Sequence, residues 1–172
     1  SLFKDRNLVG GLIIIAMLGV VLFSTFALLP PFLQRLQGYP VITAGLVMAP
    51  RGIGTMIAMQ ISGHILSRVD ARLPILVGML LLAYALHWMS NFTADVGAQE
   101  IVLSGMVQGL GLGFIFVPLS AVTFSTLAPE FRGDGTSLYS LLRNVGSSVG
   151  IALAFAYQDY GTKMAHSVLA EN

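Results

Sequence analysis

Long apolar runs, separated by short polar segments, organise this chain. Residues 8–29, 41–66, 73–90, 101–127 and 136–158 are almost continuously hydrophobic, and from Ile101 to Pro129 there is no formal charge. A helix needs about 20 apolar residues to cross the bilayer core, so each run predicts a transmembrane helix. The shorter alternating segments of a membrane β-barrel do not occur. The intervening segments 30–40, 67–72, 91–100 and 128–135 are short. Pro30 and Pro31 are expected to stop the first span, Pro40 precedes the second, and Pro74 suits an early helical position in the third. The fold class that follows is an all-α membrane protein built as a bundle of five transmembrane helices. The polar tail 159–172 reads as the start of a loop beyond the fifth.

Composition strengthens this reading. The 172 residues are 55% hydrophobic and 10% charged, against about a quarter charged in soluble domains, and mean hydropathy is +0.81. In hydrocarbon every backbone group needs an internal partner, which favours helices. The chain has no cysteine, which excludes disulfide frameworks and thiolate metal sites. A net charge of +1 gives no footing for a nucleic acid or an acidic partner. The chain opens at Ser1 without Met, and no small-residue cleavage site follows the first apolar run. It is therefore expected to be cut from something longer.

Cationic residues orient the spans. Lys4, Arg6, Arg68, Arg72 and Arg132 fall on one side of the membrane, and Arg35 and Lys163 on the other. The positive-inside rule makes the first side cytoplasmic. The N-terminus is then cytoplasmic and the tail extracytoplasmic, with Tyr84, Trp88, Tyr157 and Tyr160 near the outer interface.

Polar residues inside the spans are the candidates for function. Arg51 lies about ten residues into the second span, roughly 15 Å along a helix axis. A central Arg costs about 2.5–3.5 kcal/mol on insertion scales, so it should face a polar cavity or a partner helix, unless its side chain snorkels outward. Pro50, Gly52 and Gly54 around it predict a broken or bent helix. Gln60, Gln108, Arg143 and Asn144 suit either a lined path or hydrogen bonds between helices. His64 and His87 lie near span ends without metal-ligand company, and the chain calls for no cofactor. The carboxylates Asp5, Asp70, Asp95, Glu100, Glu130, Asp134, Asp159 and Glu171 fall in loops, tails or span edges. An intramembrane proton carrier, which is usually Asp, Glu or His, would have to lie outside these residues. Gly105, Gly109 and Gly113, and likewise Gly146 and Gly150, form small-xxx-small faces suited to close helix packing.

Family resemblance enters at the loop after the second span. Gly63-His64-Ile65-Leu66-Ser67-Arg68-Val69-Asp70-Ala71-Arg72 resembles the cytoplasmic loop motif of the major facilitator superfamily, through Gly63, Arg68 and Arg72. Ser67 and Asp70 depart from it, as in the copy of the motif in the family's second half. The runs at 1–7, 29–34 and 44–50, with Gly38-Tyr39, Gln108-Gly109, Pro118-Leu119, Pro129-Glu130, Ser137-Leu138 and Arg143, are similar to fourteen-span drug:proton antiporters of the EmrB/QacA type. The resemblance implies spans nine to thirteen, in the C-terminal half of a major facilitator fold. It also implies export of amphipathic compounds from the inner membrane by proton antiport and alternating access. The missing N-terminal half would complete the transporter and hold the proton-coupling acids. In some members a periplasmic adaptor and an outer-membrane channel are partners. A membrane channel or a non-transporting scaffold is the competing reading. An intramembrane enzyme would need a nucleophile–base or metal pair, and no such arrangement is recognisable.

Overall fold

The computed structural model describes residues 4–170, with side chains through Met164. Residues 1–3 of the resemblance run at 1–7, and Glu171 and Asn172 of the tail, lie outside the described residues. The order is helix α1 (Arg6–Pro31), a π turn (Phe32–Leu36), α2 (Val41–Ile65), α3 (Arg72–Ser90), α4 (Ala98–Ser125), a 3-10 turn (Pro129–Phe131) and α5 (Arg132–Ala170). Among the described residues there is no strand, and five helices are long and apolar enough to cross a membrane. The chain divides into two compact units: Ser1–Phe32 with Leu127–Asn172, and Leu33–Thr126.

In the first unit α1 packs on α5. Asp5 caps α1: its Oδ1 accepts from the Asn7 N–H at 3.0 Å and the Leu8 N–H at 3.4 Å, satisfying donors that the helix start leaves open. A Cβ added to Gly19 would lie 2.6 Å from the Arg143 carbonyl oxygen, and Cβ atoms on Gly146 and Gly150 would collide with the carbonyls of Ala16 and Val20. Backbone meets backbone here because these positions have no side chain. The pairing of 16 with 146 and 20 with 150 makes the two helices parallel. Ser24 Oγ reaches both the Val20 oxygen at 2.6 Å and the Gly150 oxygen at 2.9 Å across the seam.

In the second unit α4 packs on both α2 and α3. Gly78 on α3 and Gly111 on α4 approach each other reciprocally: a Cβ on Gly78 would sit 2.6 Å from the Gly111 oxygen, and one on Gly111 2.8 Å from the Gly78 oxygen. Gly78 also faces Ile115 while Leu82 faces Gly111, so α3 and α4 are antiparallel. On α2, Gly54 faces Met106 and Leu110, and Ala58 faces Gly113, which makes α2 and α4 parallel. These senses are what successive crossings of one membrane require.

Three expectations need correction. Pro30 and Pro31 do not stop the first helix, which runs through Pro31 and continues as the π turn to Leu36. Both prolines lie in the last α-turn, and the Phe32 N–H that follows them still donates to the Leu28 and Leu29 carbonyls, so the helical run carries on past them. The chain finally turns at Gly38, whose φ of 66° is the left-handed conformation glycine adopts without a Cβ penalty. Secondly, α2 is not broken: it is helical through Pro50, Arg51 and Gly52. Within a bilayer a freed carbonyl has no water to turn to, so neighbouring helices and hydroxyls hold the helix together. Thirdly, the segment 159–170 is helical, not the start of a loop. It lacks proline, and Lys163 Nζ pairs with Asp159 Oδ2 at 2.6 Å in the helical i, i+4 relation.

Candidate functional site

Arg51 sits on the buried stripe of α2, together with Ala44, Gly54, Ala58 and Ser62. Their spacing of three, four and seven residues keeps them on one helix face. The residue is 4% exposed. Its face is turned to α4: a Cβ on Gly109 would collide with the Arg51 carbonyl oxygen and stand 3.1 Å from the Thr55 nitrogen. Thr55 Oγ1 donates to that same Arg51 oxygen at 2.9 Å. Gly105 borders the Arg51 side chain, with its Cβ position 3.8 Å from the Arg51 Cβ.

Further along the seam, a Cβ on Gly113 would be 2.5 Å from both the Ala58 Cβ and the Thr55 oxygen. Gln108 is fully buried on α4, in a row with Ile101, Ser104, Leu112 and Ile115. At one end of this row Ile115 faces Gly78 of α3. The structure thus brings Arg51, Gly105, Gly109 and Gly113 together, and places Gln108 within the helical layer.

The other candidates stand apart from this seam. Gln60 is exposed on α2. Arg143 is half-buried on α5 and Asn144 beside it is exposed. The Arg143 backbone carbonyl takes part in the α1–α5 seam, accepting from Ser147 Oγ at 2.7 Å and facing Gly19. Gly146 and Gly150 lie in that same seam.

In the loop motif, Gly63, Arg68 and Asp70 are exposed. Asp70 Oδ1 accepts from the Arg72 backbone N–H at 3.2 Å, and its carbonyl accepts from the Leu73 N–H at 3.1 Å. Asp70 therefore holds the start of α3, and among the described residues it forms no ion pair with Arg68 or Arg72. No group of His, Asp or Glu among the described residues could hold a metal ion.

Several contributors escape sequence reading. Gly54 packs against α4, whereas Gly52 faces open space, so the two glycines expected to loosen α2 do different things. Gly19, Gly78 and Gly111 each form a close contact but have no glycine partner four residues away on their own face. Only three dimensions show them. Thr55 was visible solely as a hydroxyl one turn after Arg51.

The sequence model of the Major Facilitator Superfamily matches residues 1–151. The chain belongs to this superfamily. It is 30% identical over its whole length to the fatty acid resistance protein FarB of Neisseria gonorrhoeae, of which it covers 34%. It is 29% identical over its whole length to the multidrug export protein EmrB of Escherichia coli, again covering 34%. A multidrug resistance protein B homolog of Mycobacterium tuberculosis is 33% identical over 88% of the chain, which spans 28% of that relative. The chain thus spans about a third of the length of the curated relatives it matches. As a member of the major facilitator superfamily with five apolar helices, it is a multi-pass membrane protein of a transporter family.

Proposed function

We propose that this chain supplies five consecutive helices to the C-terminal half of a secondary multidrug exporter, which moves amphipathic small molecules out of the cell by proton antiport and alternating access. The observation that carries the reading is similarity along the whole chain to relatives named for multidrug export and for fatty acid resistance. In this reading the protein sits in the bacterial inner membrane with Lys4 and Arg6 cytoplasmic, and the rest of the transporter supplies the proton-coupling acid. A periplasmic adaptor with an outer-membrane channel would extend the export route.

In this reading Arg51 and Gln108, both buried among these helices, are the polar groups that bear on transport. Gln60, Arg143 and Asn144 are available to the remainder of the protein. Proteoliposomes containing the full-length protein test the reading. An imposed pH gradient should drive movement of an amphipathic cationic dye, and collapsing the gradient should stop it. Dye movement that persists without a gradient would indicate a channel, and absence of flux a scaffold; either result would overturn the proposal.

A further inference from the structure

The turn between α2 and α3 gathers cationic charge at the head of an uncovered helix face. Arg68 in the turn and Arg72 at the start of α3 are both exposed, and among the described residues neither guanidinium enters an ion pair. Asp70 is the carboxylate between them. Its Oδ1 accepts from the Arg72 backbone N–H at 3.2 Å, which fixes the helix start and holds the carboxylate to the backbone. The Arg68 and Val69 N–H groups both donate to the Ile65 oxygen, at 2.8 and 2.9 Å, and keep the turn tight. Four residues separate the two arginines, a span of at most about 14 Å, which two long side chains can close around a shared anion.

Arg72 also heads the outward face of α3. Leu76 and Leu80 follow it at four and eight residues, with Leu73 and Val77 beside them. Leu73, Leu76 and Leu80 are each more than half exposed. The opposite face, with Pro74, Gly78, Leu82 and Ala85, is the buried one, and α3 packs on α4. From Leu73 to Leu80 the apolar stripe covers about 10 Å of helix, within the roughly 15 Å that is half of the hydrocarbon core. It therefore starts at the turn and stays inside one leaflet. Farther along, the Tyr84 and Trp88 rings stand 5.9 Å apart, as aromatics near the far interface do.

Side-chain size distinguishes lipid from a further helix as the cover of this face. Where helices of this chain meet closely, glycine makes the room. The one glycine of α3, Gly78, is turned to α4, and the outer face carries leucine and valine instead. On α2, by contrast, Gly45, Gly52 and Gly63 open outward, as close contact with a helix requires. We propose that the α2–α3 turn and the outer face of α3 bind an anionic phospholipid, its phosphate held by Arg68 and Arg72 and its acyl chain lying along Leu73, Leu76 and Leu80. The planar fork of arginine matches phosphate oxygens, and cations beside a span attract anionic headgroups. The site stands whether or not the protein moves dye.

Photolabelling of the full-length protein in detergent tests it. Phosphatidylglycerol with a diazirine on one acyl chain is compared with phosphatidylcholine carrying the same label, and adducts are mapped by peptide mass spectrometry. Phosphatidylglycerol should label residues 73–80 strongly and phosphatidylcholine weakly. Equal labelling would overturn the headgroup contact. Absence of adducts on 73–80 with either lipid would mean that a helix of the remaining protein, or a second copy, covers the face, and would overturn the site. Arg68→Gln combined with Arg72→Gln should weaken phosphatidylglycerol labelling, raising the half-saturating lipid concentration roughly thirtyfold, with each cation contributing about five- to sixfold. An unchanged concentration would remove the arginines from the site. Inorganic phosphate in large excess should not displace the lipid, and displacement would show a site for free anions instead. Thermal unfolding of the delipidated wild-type protein needs no variant: phosphatidylglycerol should raise Tm more than phosphatidylcholine, and equal shifts would overturn the proposal.

Discussion

A guanidinium placed midway along a membrane helix has lost water on every side, and protein contact is what makes the position tolerable. Arg51 shows how this is done here: its helix face is turned to α4, where glycine leaves room for the backbone and for the start of the side chain. Charge and apolar surroundings alone mark the residue out in the sequence. What the sequence does not show is why it fits, because the space is created by Gly105 and Gly109 some fifty positions away. Under the proposed function, Arg51→Ala in the full-length protein is expected to reduce dye flux severely while membrane insertion stays largely intact. Arg51→Lys should restore it only in part, since an ammonium lacks the planar fork of donors. Flux normalised to membrane-extracted protein is the measurement, and an alanine variant as active as the wild type would remove Arg51 from the mechanism.

At the scale of the helix, lipid changes the rules that connect sequence to structure. Apolar length identifies all five helices, because twenty or so apolar residues have no other stable form in hydrocarbon. Proline neither breaks α2 at Pro50 nor ends the helical run at Pro30 and Pro31, since a broken helix in lipid would leave further backbone groups without partners. Packing faces are legible where glycines repeat at four residues, as at 105, 109 and 113 or 146 and 150. They are illegible at Gly19, Gly78 and Gly111, where the close approach depends on the partner helix. Gly109→Leu is the sharpest test of the seam. Its side chain would collide with the Arg51 backbone, and overpacking of this kind costs about 1–3 kcal/mol or more. The variant should lose thermal stability in detergent, measured by fluorescence-detected size exclusion after heating. Retention of wild-type stability would mean that α2 and α4 do not cross at this glycine.

For the whole molecule, the order and sense of the helices constrain its placement in the membrane more tightly than composition can. Parallel α1–α5 and α2–α4 pairs with an antiparallel α3–α4 pair put the α2–α3 turn and the α3–α4 loop at opposite ends of α3, about 28 Å apart for its 19 residues. Which end faces the cytoplasm depends on Lys4, Arg6, Arg68, Arg72 and Arg132 standing against Arg35 and Lys163. A cysteine at Ser67 and, in a separate protein, a cysteine at Asp95 report the two ends, because both residues are exposed and this chain has no cysteine of its own. With the remainder of the full-length protein cleared of cysteines, a membrane-impermeant thiol reagent applied to intact cells should label position 95 and spare position 67. Permeabilisation should then expose position 67, which confirms that the residue is reactive and merely sheltered. Labelling of 67 in intact cells with 95 protected would invert the arrangement. It would make the tail after α5 cytoplasmic, and these helices would no longer fit spans nine to thirteen of an EmrB-like exporter.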